Sequence, residues 1–393
     1  MPTVDREDAS YRQVEAKTIT RLRGTVDAWF LGRYGMNLYR GCEHGCVYCD
    51  GRAERYHVDG CFERDIVVKR NAVELLRREL GRAREPGFVL LGGGVCDAYQ
   101  PADKRFELAR GVLRVALELG KPVHVLTKSS LVERDLDLLR AIGEQSRAIL
   151  SFSVQTADDE VRARFEPRAA PIAERLRLMA RAKEIGLGVG AMAMPVLPGI
   201  SDTPEAIDDL VGQLAAAGAD FVCFGALTLR PGAQRDTYLR RIRDDHPDLM
   251  RGYEAAYRGQ HPSGMPDRRY AARVDARFHH ALLRHGLPGR APRRLFTGSM
   301  PLYSEIAVLL EHRQLELRMQ GTGGQGLGRA GWVIQQWARD SLSQRGRRRG
   351  FSYRVLEEEF RQMVLDSSLS SLLGVDEAAQ PEIRRLLHDA PQT

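Results

Sequence analysis

Residues 88–127 read FVLLGGGVCDAYQPADKRFELARGVLRVALELGKPVHVLT. An apolar run opens the stretch, three glycines follow, an amphipathic pattern fills 104–120 and stops on glycine, and a β-branched run closes it at 122–127. The order is strand, turn, helix, stop, strand. Two strands joined through a helix run parallel, because a parallel pair needs a crossover of about a dozen residues or more. This stretch therefore places the chain in the α/β class.

The same unit repeats on both sides. Further strand candidates are MNLYR (36–40), AILSFSV (148–154), GVGAMAM (188–194) and FVCFGAL (221–227), which with 88–92 and 122–127 make six. Helical patterns lie between them at 72–83, 104–120, 133–145, 171–186 and 204–218. Right-handed crossovers curl such a sheet into a barrel or an open wound sheet, with function at the C-terminal strand ends. The unusual residues collect at those ends: GGGVCDAYQPAD after the second strand, TKSS after the third, Ser153 within the fourth, PVLPGISD after the fifth. Beyond 232 the rhythm stops and an arginine-rich, mainly helical region follows. The chain divides into an N-terminal extension (1–35), the βα region (36–232) and the C-terminal region (233–393).

After the first strand comes RGCEHGCVYCD (40–50), which holds three of the six cysteines at C-x3-C-x2-C spacing. Thiolates at this density bind soft or borderline metals. Structural zinc sites use two separated knuckles and four ligands, so a Cys3His zinc site would need His44, only two residues from Cys42 and Cys46. An iron–sulfur cluster with one iron left free for a substrate or cofactor is the other reading, since ordinary electron-carrying clusters take four cysteines.

With Tyr48 before the last cysteine and a strand before the loop, the motif resembles the radical S-adenosylmethionine (radical SAM) superfamily. The resemblance implies a partial (β/α)6 TIM-like barrel and a 4Fe-4S cluster on Cys42, Cys46 and Cys49. The fourth iron would chelate S-adenosylmethionine, and one electron would cleave it to a 5′-deoxyadenosyl radical. It further implies cofactor contacts from Tyr48, Gly92, Gly93, Gly94, Lys128 and Ser153, and a reductant such as flavodoxin or ferredoxin. NLYRGCEHGCVYCDGRAE, DAYQPAD, TKSSLVERDLDLL and SFSVQTADDEVRARFEPRAAP look like the spore photoproduct lyase-like branch, whose namesake repairs a thymine lesion in DNA with a hydrogen-donating cysteine. Cys96 is the candidate donor here.

The chain has 393 residues and a net charge of +7, which permits a nucleic-acid partner. Its polar, acidic start and the lack of any apolar run near 18 residues lead to an expectation of a cytoplasmic protein with no membrane span. A radical enzyme acting on a peptide or small metabolite, and an iron–sulfur electron carrier or sensor, are the alternatives. GTGGQGLG (321–328) fits a dinucleotide-binding G-x-G-x-x-G and follows an alternating LELRM, but too little chain remains after it for a wound domain, and a glycine loop is expected. RGRRRG (345–350) reads as a solvated loop.

Overall fold

The computed structural model describes residues 9–22, 24–93, 95–259, 261–346 and 351–390. Ten strands form within them: β1 Ser10–Val14, β2 Thr20–Leu22, β3 Gly32–Met36, β4 Tyr39–Arg40, β5 Asp65–Lys69, β6 Phe88–Leu91, β7 Val123–Thr127, β8 Ala148–Ser153, β9 Gly188–Val196 and β10 Phe221–Ala226. Seven make one sheet in the order β10-β9-β8-β7-β6-β3-β2, and β1, β5 and β4 make a small second sheet. From β3 to β10 every neighbour is parallel, and only β2 runs antiparallel, at the edge. Strand order follows chain order without reversal, which distinguishes this sheet from a doubly wound one and winds it in one direction, as in a TIM-like barrel. The sheet is open, ending at β10 and β2.

Side chains alternate across it. Val89, Leu91, Val123, Val125, Leu150, Phe152, Val189 and Val222 belong to the core shared with the outer helices. Phe88, Ile149, Met192, Phe221 and Cys223 face the other way, into a cluster with Val26, Ala28, Leu31, Phe296 and Val308. The strands are thus covered on both faces, which explains their nearly continuous apolar runs. Phe224 stacks on Phe278 of the helix Arg268–Arg284 with ring centroids 4.3 Å apart, an arrangement worth roughly 0.5–1.5 kcal/mol beyond burial.

The inner cluster has an unusual origin. Residues 26–31 are fixed by Phe30 O to His124 Nδ1 at 2.7 Å, by Ala28 O to His312 Nε2 at 2.8 Å, and by Val26, whose N–H donates to Gln335 Oε1 at 2.5 Å. His312 lies on the helix Leu302–Met319 and Gln335 on Gln325–Arg345, which pack as a hairpin around a second core.

Three expectations are corrected. The first parallel strand is Gly32–Met36, not 36–40. A glycine-bearing segment makes a poor strand by propensity, yet Gly32 sits where a Cβ would lie 3.0 Å from Leu90 Cβ, and Tyr34 and Met36 enter the core. Tyr39–Arg40 pairs instead with Val67 and Val68 in the small sheet. Second, LELRM is the last part of the helix Leu302–Met319, so no strand precedes the glycine run; Gly324 caps the next helix and Gly326 and Gly328 lie inside it. Third, the pattern 104–120 breaks into Asp103–Phe106 and Leu108–Glu118 at Glu107, whose φ is +48°. Within the RGRRRG run, residues 347–350 lie outside the described residues. Among the described residues no helix is long and apolar enough to cross a membrane.

Candidate active site

The C-terminal ends of the parallel strands surround a cavity of about 420 Å³. The cysteine loop follows β4 and supplies Cys42, Cys46, Tyr48 and Cys49; the turn after β6 supplies Gly93, Cys96 and Asp97; β7 ends on Thr127, with Lys128 next, and β8 ends on Ser153. Met192 and Met194 of β9 and Gly225 and Ala226 of β10 close the far wall, with Trp29 and Met265 at the rim. Of the residues singled out in the sequence, Cys42, Cys46, Cys49, Tyr48, Gly93, Cys96, Lys128 and Ser153 all line this one space. Gly92 does not line it; a Cβ there would lie 2.1 Å from the Leu126 carbonyl oxygen, and φ is +88°. Gly94 lies outside the described residues. Gly92→Ala is therefore expected to lose at least about 1–2 kcal/mol from backbone strain alone, read as a lower urea midpoint.

The loop's shape follows from its hydrogen bonds. Gly41 O accepts from Gln100 Nε2 (3.2 Å), Glu43 O from Arg168 (3.3 Å), Gly45 O and Cys46 O from Arg52 (3.1 and 3.0 Å), and Tyr48 O from Gln234 Nε2 (3.0 Å). With its carbonyls taken by the scaffold, the loop holds its thiols against the cavity. Gly41 turns the chain into it at φ +77°, where a Cβ would lie 2.9 Å from Phe62 O.

All three thiols are free. Burial raises Cys42 and Cys49 and pushes Cys46 up to about 12, so ligation by any metal would release protons. Among the described residues no three His, Cys, Asp or Glu side chains close around one metal-ion position. The three free thiols, all from one loop, line the cavity together. His44 is buried beside them, its Nδ1 3.5 Å from Asp97 Oδ2.

Two buried groups that the sequence reading missed organise the rest. Glu166, with no exposed side-chain surface, accepts from Tyr48 OH, Lys128 Nζ (3.0 Å) and Arg175 (2.6 Å). Burial pushes its carboxyl up, but Arg175 and Lys128 outweigh that and bring it down to about 2. Lys128 Nζ also reaches Ser153 Oγ at 2.6 Å. Two cations stand against one carboxylate here, and the Asp97 carboxylate lines the same cavity. Asp97 accepts from Thr127 Oγ1 (2.9 Å) and Lys128 N (2.7 Å), tying the turn after β6 to the end of β7. Arg175 had one legible signal: it lies three residues from both Ile172 and Leu178, on the buried face of its helix. A charge there implies a buried partner.

Cys96 is buried, donates to Tyr39 O at 3.3 Å, and is pushed up to about 12 by burial, so it is a neutral thiol at physiological pH. Trp29 is 37% exposed, and the Arg290 guanidinium sits 3.8 Å from its ring centroid.

Residues 36–211 match the radical SAM superfamily. An uncharacterized protein of Mycobacterium tuberculosis (strain ATCC 25618 / H37Rv) is 34% identical over 230 residues, covering 58% of this chain and 67% of the relative. One of Methanocaldococcus jannaschii is 25% identical over 210 residues, covering 53% of this chain and 76% of the relative. Among solved structures, a spore photoproduct lyase variant with bound S-adenosylmethionine and dinucleoside spore photoproduct superimposes with a TM-score of 0.53 at 17% identity, over 71% of this chain and 80% of that one. At that identity the likeness is one of fold.

Proposed function

The chain belongs to the radical SAM superfamily of enzymes, and on that premise we propose that it cleaves S-adenosylmethionine reductively and acts on a lesion or modified base in nucleic acid. The observation that carries this reading is the single cavity in which three free thiols of one loop, the Lys128–Ser153 pair and the Cys96 thiol meet. Cys42, Cys46 and Cys49 would hold a 4Fe-4S cluster. When bound, cluster and cofactor supply an electron and a carbon radical that takes a hydrogen atom from substrate.

The protein's part is orientation, charge and exclusion of water. Lys128, whose Nζ lies 2.6 Å from Ser153 Oγ, would with that hydroxyl hold the cofactor's carboxylate. Gly93 presents backbone without a side chain, which lets the amino group approach. Tyr48 has its hydroxyl committed to Glu166, so its contribution to the cofactor is its ring. Cys96 is suited to hydrogen-atom transfer because it is held as S–H: it gives its hydrogen to a substrate carbon radical and keeps the unpaired electron on sulfur. Trp29, with Arg290 on its ring, offers a rim on which a nucleobase stacks, an interaction worth about 1–3 kcal/mol per base. Free thiols suit a reducing, cytoplasmic setting, where reduced flavodoxin or ferredoxin is the expected electron donor.

The test is 5′-deoxyadenosine by mass spectrometry after anaerobic iron–sulfide reconstitution, with dithionite and S-adenosylmethionine, followed by irradiated DNA as substrate. Cofactor cleavage without turnover of any nucleic acid would move the substrate to a peptide or small metabolite. A reducible protein that makes no 5′-deoxyadenosine would be an electron carrier or sensor. Cys96→Ala is expected to keep cofactor cleavage and lose most repaired product, because only the return of hydrogen depends on that sulfur.

A further inference from the structure

A second concave site adjoins the cavity wall. Arg235 on the helix Ala233–Asp245, Arg251 and Glu254 on the helix Met250–Ala256, and Tyr257 and Arg258 just beyond it line a pocket of about 380 Å³. On or beside the helix that carries Arg235, Arg230 lies 2.6 Å from Asp50 and Arg241 3.6 Å from Asp245. The three pocket arginines have no such pairing. Among the described residues none has a carboxylate within ion-pairing distance, Glu254 included, so the pocket carries an excess of two positive charges. Three like charges held in one concavity repel, and an anion there would offset that repulsion.

Its position ties it to the reacting centre. Gln234, the neighbour of Arg235, donates to Tyr48 O at 3.0 Å and Thr228 O at 2.8 Å, and both of those residues line the active cavity. Tyr257, part of the arginine pocket, donates its hydroxyl to Leu227 O at 2.8 Å, another lining residue. At Tyr257 one side chain reaches from the pocket to the backbone of a residue that lines the cavity.

We propose that this pocket binds a backbone phosphate of the substrate strand, flanking the base that enters the cavity; this rests on the nucleic-acid reading above. Guanidinium groups suit a phosphodiester through paired N–H donors. A strand gripped beside the mouth places its neighbouring base at the cavity without touching the base itself.

The test is fluorescence anisotropy of a short fluorescein-labelled single-stranded oligodeoxynucleotide across a salt series. R235Q/R251Q/R258Q is compared with R82Q/R114Q/R147Q, which removes three exposed arginines elsewhere. The pocket variant is expected to bind about tenfold more weakly or worse, with a salt slope shallower by about 0.7 for each phosphate it no longer neutralises. The control variant should stay near wild type, and both should form 5′-deoxyadenosine at the wild-type rate without oligonucleotide. Unchanged affinity and slope in the pocket variant would overturn the site and leave the nucleic-acid reading standing. Equal losses in both variants would also overturn it, as a mere effect of net charge. If inorganic phosphate bound the wild type and not the pocket variant while oligonucleotide binding stayed equal, the pocket would be a free-anion site and the proposal would fall. A wild type that bound no oligonucleotide would overturn the nucleic-acid reading itself.

Discussion

Cys46→Ala is expected to bring 5′-deoxyadenosine formation down by more than about 100-fold, since even groups that only orient metal ligands are worth 10–100-fold. Folding is not expected to suffer. Cys46 is buried, alanine is smaller and apolar, and the bonds that shape the loop run through backbone carbonyls held by Gln100, Arg168, Arg52 and Gln234. Cys42→Ala and Cys49→Ala should behave alike. Cys61→Ala is the control: that thiol accepts from Arg64 Nε at 3.3 Å and does not line the cavity. Iron content, the visible absorption of the reconstituted protein and 5′-deoxyadenosine should fall together in the three variants and stay at wild-type level in the control. Loss of activity with full iron content would instead mean that these thiols do not hold the cluster.

Glu166→Ala is expected to destabilise the fold by about 3–5 kcal/mol, the cost of leaving a buried ion without its partner. Arg175 has no exposed side-chain surface; it would keep its bonds to Ser153 O and Ala170 O but lose its carboxylate. The pH dependence has a defined sign. Glu166 titrates at about 2 in the fold against an ordinary 4.5. Its stabilisation is fully present above the ordinary value and is lost as pH falls from there toward the folded value. Wild type should therefore lose urea resistance on acidification through that window, while Glu166→Gln, weaker at neutral pH, should lose less. Parallel acid limbs in the two proteins would show that the carboxylate is not charged in the fold.

The parallel strands were legible because strands covered on both faces must be apolar along their whole length, and five of the six candidates lie within two residues of the observed limits. β3 escaped because glycine hides strand character; a neighbour's side chain fills the space that its own would occupy. The small sheet escaped because β1, SYRQV, has no apolar alternation and pairs with a strand about fifty residues away. In the site, the three-cysteine loop stood out by local spacing, and Lys128 and Ser153 were named only through the family resemblance that this loop carries. Glu166 gave no such signal and Arg175 only that of a charge on a buried helix face, since their roles arise when the segment after β8 folds back to Tyr48. Trp29 lies in VDAWFL (26–31), a stretch placed above only in an N-terminal extension and too short and isolated to reveal its role. It is a rim residue because two distant histidines hold the backbone on either side of it.

That last arrangement sets an order of events during synthesis. The backbone of Val26 is held by a glutamine 309 positions later in the chain, and Ala28 by a histidine 284 positions later. Translation proceeds from the N-terminus, so the cysteine loop and its six-stranded support are complete while residues 26–31 still lack the helices that anchor them. A nascent chain thus owns its thiols before it owns the rim of its cavity. The two helices that carry that glutamine and that histidine act as a latch, and the mouth is finished only once they too have been made.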